Sequence, residues 1–230
     1  MKHPEQRVRL GGLDAIVVGA LPTRAVVVVL HGRQMCAADL APFAHSLDLD
    51  VTFVMPDAPL AAEPRGRCWW PPDDEERAQR GGPIDLFALD PVGRAEGRAA
   101  LEALCGEFAC DVPLALAGFS QGGMLAMDYV LHGGRADVLA LLSSSRIAWS
   151  DWLPRLGALA GKPVLVAHGH DDMELPFAAG LALRDAAIAG GAKTEWLAFE
   201  GGHVIPLVVW RALRRFLRAH GFDAHRAFTP

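Results

Sequence analysis

The chain is 230 residues long, 51% hydrophobic, with 22 basic against 27 acidic residues and a net charge of −5. That apolar content excludes a disordered chain, and the acidic balance offers no basic surface for a nucleic-acid backbone. No apolar run approaches the roughly 20 residues that span a bilayer, so no integral membrane segment is expected.

In chain order, the opening Met1 to Arg7 is not followed by the apolar core of an export signal. Leu13 to Val18 reads as a first strand after a Gly11-Gly12 turn. Val26-Val27-Val28-Val29-Leu30 is a continuous branched run, the pattern of a strand buried on both faces of a mostly parallel sheet; it ends at His31-Gly32. Asp39 is placed to cap a helix carrying Leu40, Phe43 and Leu47 on one face. Val51 to Met55 is the next strand, stopped by Pro56. Residues 56 to 92 differ, with many prolines and charges, the pair Trp69-Trp70 and the acidic run Asp73-Asp74-Glu75-Glu76, which reads as solvated loop or helix start. A loop of that length in a compact domain is often functional.

Asp90 to Cys110 is helical in pattern, with Pro91 fitting its first turn. Leu114 to Ala117 is a short strand, followed by a tight turn and a helix to about Leu131 that His132-Gly133-Gly134 ends. Val138 to Leu142 is a strand, and residues 143 to 160 form a loop and short helix carrying Trp149 and Trp152. Val164 to Ala167 is a strand, Phe177 to Ala189 a helix and Thr194 to Phe199 the last strand. The final helix starts near Pro206. Val209, Trp210, Leu213, Phe216 and Leu217 face one side and Arg211, Arg214, Arg215 and Arg218 mostly the other, which is an amphipathic packing helix. Strands alternating with helices predict one doubly wound α/β domain over residues 1–230, with its ligand site beyond the carboxyl ends of the strands. The four cysteines, Cys36, Cys68, Cys105 and Cys110, form no Cys-x-x-Cys pair and suit reduced thiols in a cytoplasmic protein.

The chemistry centres on Gly118-Phe119-Ser120-Gln121-Gly122, a small-residue turn between strand and helix with a serine at its tip. That is the form of a nucleophile elbow. A serine hydroxyl needs a base, a group that holds the base, and N–H donors for the oxyanion. Glu200-Gly201-Gly202-His203 follows the last strand, which makes His203 the natural base. The acid lies in His168-Gly169-His170-Asp171-Asp172-Met173-Glu174, where Asp171, Asp172 and Glu174 are all candidates and spacing does not choose. The N–H of Gln121, at the helix start, is one oxyanion donor. Arg33, just after His31-Gly32, is the first residue that could offer the other.

These residues resemble the carboxylesterase/phospholipase group of α/β-hydrolases, which includes the acyl-protein thioesterases. The likeness is carried, in order, by Leu30-His31-Gly32, Pro56-Asp57-Ala58-Pro59, Arg67-Cys68-Trp69-Trp70, Gly118-Phe119-Ser120-Gln121-Gly122-Gly123, His168-Gly169 followed by an acid and Pro176, and Gly201-Gly202-His203. The resemblance implies the α/β-hydrolase fold without a large cap domain, a Ser120–Asp172–His203 triad, and backbone N–H donors at Arg33 and Gln121. Its motif His-Gly-x-x-Asp selects Asp172. It implies a small-molecule ester or thioester substrate and no cofactor. Three departures concern the substrate: Gln34 stands where many members have glycine, Arg33 where an aliphatic residue is common, and Ser143-Ser144-Ser145 where Ser-Gly is usual.

The remaining readings are subordinate. His31 is expected to shape the oxyanion loop and His168 to hold a strand end. His168, His170, Asp171 and Asp172 have the donor types of a metal site, but no second cluster at ligand spacing accompanies them, so no metal is expected. Trp69, Trp70 and Met173 are candidates to line an apolar acyl or alcohol pocket, against the alternative that the tryptophans pin the loop to the core. The competing functional class is a catalytically silent scaffold of the same fold. The sequence leaves acyl-chain length and oligomeric state, a homodimer included, open.

Overall fold

The computed structural model describes residues 4–21, 23–71 and 85–223. The acidic run Asp73 to Glu76 lies outside them. The strands are β1 (Glu5–Leu10), β2 (Leu13–Val18), β3 (Val26–Leu30), β4 (Thr52–Pro56), β5 (Leu60–Ala61), β6 (Arg67–Cys68), β7 (Leu114–Phe119), β8 (Val138–Leu142), β9 (Pro163–Gly169) and β10 (Lys193–Phe199). The helices are α1 (Ala37–Leu47), α2 (Arg94–Cys105), α3 (Gln121–Leu131), α4 (Trp149–Trp152, continued by a 3₁₀ helix over Leu153–Leu159), α5 (Phe177–Ala189) and α6 (Leu207–Ala219). No helix among the described residues is long and apolar enough to cross a membrane.

The sheet runs β1-β2-β4-β3-β7-β8-β9-β10, with β5 and β6 forming a separate small hairpin. From β4 to β10 its neighbours are parallel, while β1 and β2 form an antiparallel edge. The branched run in β3 does what its composition predicts. Val26, Val28 and Leu30 enter the core layer under α2, α3 and α5, whereas Val27 and Val29 enter the opposite layer with α1 and α6. Side chains alternate across a strand, so a strand covered on both faces must be apolar throughout. The arginine-bearing α6 packs its apolar side into that second layer, where Trp210 stacks on Phe43 of α1 with ring centroids 4.6 Å apart.

Several boundaries differ from the sequence reading. β1 has no counterpart in the sequence reading: it is an edge strand with mostly exposed side chains, so it carries no strong apolar pattern. Gly11 and Gly12, both with positive φ, make the two-residue hairpin turn that joins it to β2. α1 starts at Ala37, two residues before Asp39. Asp39 caps from inside, its carboxylate accepting the Cys36 N–H at 2.8 Å. α2 is shorter than Asp90 to Cys110, and Pro91 precedes it.

The architecture also creates the site. The chain leaves β3 for β4 on one side and returns to β7 on the other, so the strand order reverses between β3 and β7. Ligand crevices in such sheets open at this reversal, beyond the carboxyl ends. Leu30 pairs with Gly118, which sets His31-Gly32 directly beside Phe119-Ser120.

Candidate active site

Ser120 sits between β7 and α3 at φ 52°, ψ −119°, a conformation that L-residues rarely adopt and that costs about 1–3 kcal/mol. The turn is tight enough that a Cβ on Gly118 would lie 2.3 Å from the Gly122 carbonyl oxygen, and one on Gly122 2.4 Å from that of Leu30. Only glycine fits at either position. The strained turn is held from outside: the Ser120 N–H donates to Leu142 O at 2.9 Å, and the Ser144 hydroxyl donates to Ser120 O at 3.0 Å. Ser144 of the serine triplet therefore supports the elbow.

His203 arrives from β10, the far edge of the sheet, on a loop that folds back over the end of β9. The His170 N–H donates to Phe199 O and the Asp171 N–H to Gly201 O, each at 2.9 Å, and Gly201 takes φ 133° to make the return. His203 Nε2 then lies 2.9 Å from Ser120 Oγ and Nδ1 lies 2.7 Å from Asp172 Oδ2. With Nδ1–H donated to the carboxylate, the Nε2 lone pair faces the serine hydroxyl. Phe119 backs the imidazole with centroids 4.8 Å apart.

Asp172 is buried, and its other oxygen accepts the N–H groups of Glu174 and Leu175, both at 2.9 Å. Burial pushes its pKa up, but the His203 hydrogen bond and those two N–H groups outweigh it and hold the carboxyl below the ordinary 3.8. Asp171 is exposed. The structure thus brings Ser120, His203 and Asp172 together and leaves Asp171 outside the chain of hydrogen bonds. Glu174 contributes its backbone N–H to the Asp172 carboxylate.

The second loop of the site is built on His31, which is fully buried. Its Nδ1 is 2.7 Å from Gly32 O, and its Nε2 accepts the Ala58 N–H at 3.0 Å. Both contacts are satisfied by one neutral tautomer, and burial lowers the pKa of this imidazole. Gly32 O belongs to the same peptide group as the Arg33 N–H. Gripping the oxygen from behind aims that N–H the opposite way. A Cβ on Gly32 would be 3.2 Å from Ser120 Cβ, so this peptide lies against the serine. Gln121, first residue of α3, presents its N–H at the positive end of the helix. Gln34 holds φ 65°, in the left-handed region that favours glycine, and its side-chain amide donates to Glu63 O.

His168, also fully buried, places Nε2 3.1 Å from Leu175 O and 3.4 Å from Asp172 Oδ2, with its pKa lowered by burial. Sequence reasoning assigned it to the strand end and missed the link to the acid, whose signal was the four-residue spacing from His168 to Asp172. Because His31 and His168 both resist protonation in the fold, the unfolded chain binds more protons just below the ordinary value of 6.5. Stability therefore falls as pH drops through that value, by up to about 1.4 kcal/mol per pH unit for each histidine. Denaturant midpoints that stay constant from pH 7.5 to 5.5 would contradict this.

The pocket candidates distribute differently from the expectation. Trp69 and Trp70 are 1% and 4% exposed and belong to the core, pinning the loop. Met173, next to Asp172 in the chain, is 73% exposed, and Val204, next to His203, is 51% exposed. His168, His170, Asp171 and Asp172 do not converge, since His170 packs on Phe177 and reaches towards Glu200. Among the described residues, Asp128, His132 and Asp151 form the cluster with metal-ligand spacing. Arg94 bridges Asp128 and Asp151, and Arg98 holds the second oxygen of Asp128 at 2.6 Å, so guanidinium groups occupy the lone pairs a cation would need.

No protein-family model matches the sequence, and no curated protein matches it. Solved structures do. Zea mays acyl-protein thioesterase 2 is 20% identical, with a TM-score of 0.73 over 90% of this chain and 98% of that one. A carboxylesterase from Mesorhizobium loti is 21% identical, with a TM-score of 0.71 over 95% and 99%. Esterase PE8 is 22% identical, with a TM-score of 0.71 over 95% and 99%. The likeness shows that the chain has the α/β-hydrolase fold of these enzymes. Among the described residues there is no large cap domain over the sheet.

Proposed function

We propose that this protein is a serine hydrolase of carboxylic esters, similar to the carboxylesterases and acyl-protein thioesterases, acting through an acyl-enzyme on Ser120. The observation that carries this reading is the unbroken series Ser120 Oγ, His203 and Asp172 at 2.9 and 2.7 Å, on a strained strand-to-helix turn. His203 takes the proton of Ser120 as the oxygen attacks the ester carbonyl. Asp172 holds the imidazolium that forms, and the N–H groups of Gln121 and Arg33 receive the charge on the carbonyl oxygen. The C–O or C–S bond then breaks, the leaving alcohol or thiol takes the proton from His203, and water repeats the sequence on the acyl-enzyme. The residues so used need no metal or cofactor.

The exposed Met173 and Val204 beside the triad favour an apolar acyl or alcohol group of short to medium length, with lysophospholipids and acyl-thioesters in the same class. Four free cysteines fit a cytoplasmic setting, and one domain over residues 1–230 carries the activity. A fluorophosphonate probe is expected to label Ser120, and a series of p-nitrophenyl esters run beside acyl-thioesters to give turnover that depends on chain length and survives a chelator. Absence of both labelling and turnover in the wild type would reduce the protein to a silent scaffold. Loss of turnover on chelation would replace the serine mechanism.

A further inference from the structure

The motif Arg67-Cys68-Trp69-Trp70 has no part in the acyl transfer just described, yet its backbone and one indole touch both sides of the proposed oxyanion site. The Trp69 indole N–H donates to His31 O at 3.0 Å. The Trp69 backbone N–H donates to the Gln121 side-chain oxygen at 2.9 Å, and the Gln121 side-chain amide returns a bond to Trp70 O at 2.9 Å. The neighbouring Arg67 pairs with the same loop: Gln34 N–H donates to Arg67 O and Arg67 N–H to Met35 O, both at 2.9 Å. The Trp69 ring lies 5.5 Å from the His31 ring, and Trp69, His31 and Gln121 are all buried.

We propose that Trp69 is a positioning residue that fixes the spacing between the two oxyanion donors. The inference rests on the ester-hydrolase reading above. One donor peptide, Gly32–Arg33, follows directly on the His31 carbonyl that the indole holds. The other donor is the backbone N–H of Gln121, whose side chain is tied to the Trp69 backbone. Trp69 thus ties the two segments together, through its indole on one side and its backbone N–H on the other, in addition to the pairing of β3 with β7 and the close approach of Gly122 to Leu30 O. Donors must lie about 2.7–3.1 Å from where the oxyanion forms, and loosening such a frame reduces transition-state stabilisation more than substrate binding. Phenylalanine would keep most of the packing and lose the N–H, leaving His31 O without that donor.

The test compares wild type with Trp69→Phe, each normalised to active sites titrated by a fluorophosphonate. Turnover of p-nitrophenyl butyrate is expected to fall roughly tenfold with KM within twofold. Affinity for a trifluoromethyl ketone, which places an oxyanion in the site, is expected to fall by the same factor, with the pH profile of turnover unmoved. A role confined to packing would lower the melting temperature and leave the per-site turnover and ketone affinity as they are, and that result overturns the proposal. Should Trp69→Phe not fold, Gln121→Met severs the other tie while keeping its own backbone donor, and the same two readouts apply. A wild type that neither labels nor turns over ester defeats the hydrolase reading. An active wild type matched by both variants defeats only the role of Trp69.

Discussion

Ser120→Ala and His203→Ala are each expected to lower kcat on a p-nitrophenyl ester by about 10⁶-fold, with KM little changed. In the proposed mechanism the nucleophile loses its proton across the 2.9 Å contact between Ser120 Oγ and His203 Nε2. Either residue alone is useless for acyl transfer, so the double variant should be no worse than the singles. The residual rate, about 10³–10⁴ over water, would come from the oxyanion donors and substrate binding. Steady-state kinetics with an active-site titration measures this. A Ser120→Ala protein that keeps a percent of wild-type kcat would remove the serine from the mechanism. Ser120→Ala also replaces one L-residue by another at φ 52°, so the backbone strain remains and stability should hardly move.

Asp172→Asn is expected to lower kcat by about 10⁴-fold. Asp172 Oδ2 accepts the Nδ1–H of His203 at 2.7 Å, which leaves Nε2 unprotonated towards Ser120. An amide at that position can present its NH₂ group instead, which favours the tautomer with Nδ1 bare and Nε2 blocked by its own proton. The same substitution removes the negative charge that stabilises the imidazolium. Asp171→Asn, at an exposed side chain, should leave kcat within twofold. The reverse result, a dead Asp171 variant and an active Asp172 variant, would move the acid one residue upstream.

The choice between those neighbours marks where residue spacing stopped and only the resemblance, through its motif His-Gly-x-x-Asp, selected Asp172. Asp171 and Asp172 have the same chemistry and nearly the same place after β9, and only the direction of the loop separates them. That direction is set by the Asp171 N–H bonding Gly201 O and by the Glu174 and Leu175 N–H groups closing on Asp172. The edge strand β1 was missed for a different reason: an exposed edge does not need an apolar pattern, although the Gly11-Gly12 pair before β2 was a hairpin signal. Trp69 and Trp70 illustrate a third limit. An aromatic in a proline-rich loop reads equally as pocket lining or as an anchor, and the hydrogen bonds to His31 and Gln121 exist only once residues 38 and 52 positions apart are brought together.

What the sequence determined by itself was whatever local physics carries. Continuous branched runs specify strands covered on both faces, glycines flanking a serine specify a turn no other residue tolerates, and a face of arginines opposite an apolar face specifies how the last helix lies. These follow from side-chain period, steric room and burial within a few residues. His203 as the partner of Ser120 was legible in the sequence, but the tertiary structure alone decided the return of its loop over β9, the link of His168 to Asp172, and the Trp69 frame between β3 and β7. Those contacts depend on strand order and loop return angles, which arise from packing the whole chain and leave no periodic trace in any one segment of it.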